Sequence, residues 1–97
     1  MNKYTLGKRS TDLSQETALK HREFRKQLKL SQAQLAERSG VSLRSIKRFE
    51  QTGKISFESL LKLGHILNRL SDFERLFNSK DDLARIDKLF SDKTRRR

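Results

Sequence analysis

Apolar side chains recur along this chain at helical rather than strand spacing, and they divide it into short helices separated by capping residues and glycines. Asp12 with Gln15 gives a start signal for a first helix to about Lys29, with Thr17, His21, Phe24 and Leu28 on its core side. Ser31 followed by Gln34 is a capping-box spacing, in which side chains satisfy backbone N–H groups that the first turn leaves unpaired. It predicts a second helix with Leu35 and Ala36 inward, stopped at Ser39-Gly40 because glycine enters the left-handed region without steric cost. Val41 turns inward, Ser42 caps a third helix, and Ile46 and Phe49, three residues apart, supply its apolar face before Gly53 ends it.

Ile55 precedes an N-cap at Ser56 and stands where it can staple to Leu60, so a fourth helix runs to about Leu67. Leu60, Leu61, Leu63, Ile66 and Leu67 cover more than one face, a surplus that suits a further helix or a second protomer. Ser71 with Glu74 repeats the capping-box letters and predicts a short fifth helix containing Phe73, Leu76 and Phe77. Asp81 or Asp82 opens a sixth, with Leu83, Ile86 and Phe90 at helical spacing. That last segment either closes the monomer's own core or serves a dimer or partner surface.

The outer side of the third helix changes the picture from fold to function. Arg44, Ser45, Lys47 and Arg48 lie opposite Ile46 and Phe49, and that side carries no acid. A short helix, a tight turn with glycine and a second helix with a cationic outer face make a helix-turn-helix unit. The residues that carry it are Leu30, Ser31, Gln32, Leu35 and Ala36, then Gly40 to Ser42, then Ile46, Phe49, Glu50 and Gly53. In this spacing the segment closely resembles the Xre family of lambda- and 434-repressor-like DNA-binding domains, over roughly Thr17 to Leu67.

The resemblance implies an all-α, compact five-helix domain with a short helical C-terminal extension. It also implies that Ser31 and Gln32 hold one phosphate and Lys54 another, and that Arg25 forms a salt bridge to Glu50. The presented helix fits the major groove, with Leu43 and Arg44 foremost, Lys47 and Arg48 one turn later, and Ser42 and Ser45 short enough to bond phosphate or base. Arg44 can fork onto guanine O6 and N7, and Leu43 can touch a thymine methyl.

Composition narrows the partner. In 97 residues, Lys and Arg number 23 against 12 Asp and Glu, a formal net charge of +11, which suits a polyanion such as nucleic acid. The ends are basic: Lys3, Lys8 and Arg9 fall in residues 1–11, and Lys93, Arg95, Arg96 and Arg97 near the other end. The expected organisation is an arm over 1–11, a DNA-binding domain over 12–78, and a helix with basic tail over 79–97. The arm is a solvated terminus or a contact to phosphate or the minor groove.

No cysteine, no His-x-x-x-His spacing and no glycine-rich phosphate loop are present, so neither a metal, a cofactor nor an enzyme is expected. No apolar run approaches a membrane span, and a cytoplasmic protein is expected. The function expected is a dimeric repressor binding a palindromic double-stranded operator. The alternative is an antitoxin, Xre-like in part, that binds both operator and a cognate toxin.

Overall fold

The computed structural model describes residues 9–79 and 85–90. Four α-helices, α1 (Ser10–Gln27), α2 (Gln32–Ser39), α3 (Leu43–Thr52) and α4 (Phe57–Ile66), are followed by a 3-10 turn at Leu70–Asp72, and residues 85–90 are again helical. Among the described residues there is no strand.

Side-chain caps set most of the helix starts. Ser31, Ser42 and Ser56 each accept a hydrogen bond from the backbone N–H three residues on, at 3.0, 3.0 and 3.1 Å. At α2 the box closes in both directions, since the Ser31 N–H also donates to Gln34 Oε1. Gly40 and Gly53, at φ +79° and +82°, end α2 and α3 in the left-handed region. Gly53 has a second reason to be glycine: a Cβ there would stand 2.9 Å from the backbone carbon of Ser14 on α1.

α1 differs from expectation at both ends. It begins at Ser10, two residues early, because the Arg9 N–H bonds to Asp12 Oδ2, so Asp12 supports the first turn from inside rather than capping it. It ends at Gln27, where Lys29 takes φ +60° and the N–H groups of Lys29 and Leu30 bond back to Lys26 and Arg25 carbonyls. That stop, a Schellman arrangement without glycine, turns Leu28 out of the core face assigned to it, and Leu28 is exposed. Asn68 ends α4 in the same way, with Arg69 N–H bonding to Gly64 O at 2.7 Å.

Ala18, Leu35, Val41, Ile46, Phe49, Leu63 and Leu67 form the buried core, with Phe24, Leu30, Ala36, Ile55, Leu60 and Ile66 packed around it. Each full burial of a Leu, Ile or Phe contributes about 1.5–3 kcal/mol. α3 lies between α1 and α2, and α2 also packs on α4.

The fifth helix expected from Ser71 is not an α-helix. Leu70–Asp72 form one 3-10 turn, and turns continue through Phe77, with Glu74 N–H bonding weakly to the Ser71 carbonyl rather than to its hydroxyl. Only Phe73 of its apolar residues is even half-buried, so too little surface is covered to hold a further helix. Asp81, Asp82 and Leu83 lie outside the described residues, as do residues 1–8 and 91–97 of the two basic ends.

Candidate nucleic-acid interface

Burial of Ile46 and Phe49 fixes the roll of α3 about its axis, and everything opposite them is forced outward. Arg44, Lys47 and Arg48 are exposed, while Leu43 and Ser45 are half-buried at the margin. Gln51 shares the outward face, four residues beyond Lys47, and with Leu43, Arg44, Lys47 and Arg48 it lines a shallow depression. Sequence reading overlooked Gln51 because it is uncharged, although its spacing from Arg44 and Lys47 places it on their stripe.

Ser42 is committed to the helix start. Its Oγ accepts from Ser45 N–H and donates to Ser45 Oγ at 2.9 Å, which leaves the Ser45 hydroxyl proton available to a ligand. Lys54 is carried on a shaped loop, where Thr52 Oγ1 donates to Arg48 O at 2.7 Å and accepts from Lys54 N–H at 3.1 Å.

The only acid of α3, Glu50, points inward and organises a polar network. Arg25 donates to both of its carboxylate oxygens, Nε to Oε2 and the second guanidinium nitrogen to Oε1, each at 2.9 Å. This two-point pairing is the strong form of such a contact. The Arg25–Glu50 pair expected by resemblance is therefore present, with side chains only 7% and 3% exposed. Arg25 also donates at 2.6 Å to the Leu30 carbonyl, tying down the loop before α2.

Gln32 completes the network by donating from Nε2 to Glu50 Oε1 at 2.9 Å, so one amide hydrogen and the amide oxygen remain for an external group. Ser31, Gln32, Arg25 and Glu50 thus form one connected cluster where α2 begins. The outward α3 side chains make a second group, and Lys54 stands beyond the end of α3.

His21 is the member that sequence reading did not place in this cluster. Its ring packs edge-on against Phe49, centroids 5.1 Å apart, with Nδ1 2.9 Å from Glu50 Oε2. That approach is attractive only when the ring is protonated, and neither ring nitrogen has a hydrogen-bond partner. Burial lowers the pKa of His21, and the attraction of Glu50 offsets this only in part. Burial alone would raise Glu50, but the hydrogen bonds from Arg25 and Gln32 and the charge of Arg25 outweigh it and hold the carboxyl below its ordinary value. Glu50 is accordingly an anion inside the fold, and the outward face of α3 is left without an acid.

A family model described as helix-turn-helix matches residues 22–73, more than half of the chain. The chain belongs to this helix-turn-helix family. The matched residues contain α2, the Gly40 turn and α3 together with the Arg25–Glu50 pair, and the family is one of DNA-binding, Xre-like regulators of transcription. No curated protein and no solved structure matches the chain significantly. Among the described residues no helix is long and apolar enough to cross a membrane, and no group of three or more His, Cys, Asp or Glu is placed to hold a metal ion.

Proposed function

We propose that this helix-turn-helix protein is a cytoplasmic repressor that binds a near-palindromic duplex operator as a dimer, with α3 in the major groove. The observation that carries this is the sorting of charge on α3: Arg44, Lys47 and Arg48 outward, Glu50 inward and neutralised by Arg25. An exposed acid on that face would repel phosphate and oppose every base contact that needs close approach.

Arg44 and Leu43 read base edges from the first turn, with Lys47, Arg48 and Ser45 contributing one turn later. Ser31 and Gln32, at the positive end of α2, hold a backbone phosphate, and Lys54 holds another. Residues 1–11 and 79–97 flank the DNA-binding domain over 12–78, and their basic clusters add unspecific attraction to the polyanion. A single short helix specifies too few base pairs for a genomic address, which is the case for two copies on half-sites about 10 base pairs apart, or a multiple of that.

A second role is favoured by one observation. Leu76, Phe77, Ile86 and Leu89 are exposed, and an antitoxin would use such an apolar surface on its toxin.

Selection from randomised duplexes at moderate salt tests the main reading. The expected result is an enriched motif with two-fold symmetry. Recovery of no motif would end the claim of specific binding, and a motif without symmetry would end the claim of a dimer on DNA.

A further inference from the structure

We propose that His21 couples proton uptake to DNA binding. A protonated ring pairs with Glu50 from behind and strengthens the hold of Gln32 and Ser31 on a backbone phosphate, so affinity rises as pH falls. His21 touches no DNA group itself and acts as a positioning residue through Glu50. The inference rests on the phosphate role proposed above for Gln32 and Ser31, and names what regulates that site.

The geometry is a relay across one carboxylate. Glu50 Oε2 accepts from Arg25 Nε at 2.9 Å and has His21 Nδ1 at the same distance. Its Oε1 accepts from the second guanidinium nitrogen of Arg25 and from Gln32 Nε2, again at 2.9 Å. The His21 side chain is only 7% exposed, and both ring nitrogens are buried without a hydrogen-bond partner. Buried polar atoms left so are uncommon and unfavourable, and the space beside Phe49 could be filled by an apolar side chain without that cost. A proton supplies what is missing, because it turns the 2.9 Å approach to Glu50 into an ion pair.

The charges around the ring leave the field of that proton uncompensated. On α1, Arg25 is already paired with Glu50 of α3, and Lys20 is exposed to solvent. His21 and Lys20 share a cavity wall with Arg69 and Asp72, which pair with each other at 2.9 Å. The α4 residues of that wall, Leu60 and Gly64, are uncharged, as is Gln32 of α2. Protonation therefore changes the net charge of the cluster by a full unit. A phosphate at the start of α2 lies one hydrogen bond beyond Glu50, whose negative charge opposes it, and positive charge on the other carboxylate oxygen reduces that opposition.

Burial holds the pKa of His21 below its ordinary value, so the free protein carries the ring neutral at pH 7. Coupling is reciprocal: if a proton on His21 tightens DNA binding, bound DNA eases protonation by the same factor. Acid thus weakens the free fold and strengthens the complex through one residue.

The affinity of the full chain for a duplex carrying the selected operator, measured at fixed ionic strength from pH 7.5 to 5, tests this together with a histidine NMR titration of free and bound protein. The parent should bind about two- to tenfold tighter at pH 5 than at pH 7.5. His65→Gln should behave as the parent does, and His21→Gln should lose the rise. The His21 ring signal should titrate at higher pH on the duplex than off it, a readout that requires no variant to fold. A histidine that only fills space moves neither quantity. A parent affinity flat with pH, an equal rise in His21→Gln, or a His21 titration unmoved by duplex overturns the coupling and leaves DNA binding standing. A parent that binds no duplex at any pH overturns the DNA reading and the coupling with it.

Discussion

Up to Leu67 the helix starts and stops are held by specific groups: Ser31, Ser42 and Ser56 accept from the first turns, Gly40, Gly53 and Lys29 close the ends, and the Glu50 network joins three helices. From Leu70 to Phe77 the same residue types produce turns, and Leu70, Leu76 and Phe77 stay in water. Ser31 with Gln34 and Ser71 with Glu74 show why. Both pairs have the capping-box spacing, but the first opens a helix that buries Leu35 completely, while the second precedes residues that bury nothing fully. Capping letters fix where a helix starts once burial supports it; short helices without that support are not stable.

If the two regions differ in this way, truncations should be costly in one and nearly silent in the other. Glu50→Ala strands the buried Arg25 charge and should cost about 3–5 kcal/mol, seen as a large drop in melting temperature. Replacing Arg25 by an uncharged residue in the same protein should recover part of the loss. Leu76→Ala should stay within about 0.5 kcal/mol of the parent. Comparable losses at Glu50 and Leu76 would erase the contrast. An unchanged melting temperature for Glu50→Ala together with lost DNA binding would move Glu50 from the scaffold to the DNA site.

The two glycine stops sharpen the contrast inside the ordered region. Gly40→Ala meets only the backbone cost of a Cβ in the left-handed region, about 1–2 kcal/mol, because nothing lies within 4 Å of its Cβ position. Gly53→Ala adds a collision with the α1 backbone at Ser14 and Gln15, and should cost clearly more. Equal losses in denaturant unfolding would mean that α1 can move away from α3 freely.

Acid should act on the ordered region through His21 first. Its folded pKa lies below the ordinary 6.5, so the unfolded chain takes up a proton that the folded chain refuses. Stability is therefore full above that value and falls as pH drops below it; Glu50, also lowered, adds a second loss below its ordinary 4.5. Denaturant unfolding at pH 7.5, 6, 5 and 3.5 should show both declines, and His21→Gln should remove the first step while keeping the second. A parent profile flat from pH 7.5 to 5 would contradict the burial of a neutral His21.

Much of this was legible in the residues. The two helices of the central unit, their serine caps and glycine stops, and the outward set Arg44, Lys47 and Arg48 follow from local spacing, and the Arg25–Glu50 pair followed from the family resemblance. Three features were not. Lys29 and Asn68 end helices in the left-handed region that glycine usually fills, a choice imposed by how Leu30 and Arg69 must turn back. His21 joins Glu50 and Phe49 only because α1 crosses α3 at that point, a distance in space with no counterpart in spacing along the chain. Gln32 was expected to hold phosphate alone, and its bond to Glu50 shows the same side chain also fastening α2 to α3.

The central claim is that outward α3 side chains read bases while Lys54 only holds backbone. Measuring the affinity of parent, Arg44→Ala and Lys54→Ala for the selected operator and for each single-base variant of it, across a series of salt concentrations, tests this directly. Arg44→Ala should lose about 1–3 kcal/mol and relax preference at one base position. Lys54→Ala should weaken every sequence alike and reduce the salt slope by about one unit. Equal loss on all sequences for Arg44→Ala, with no base position relaxed, would contradict the account.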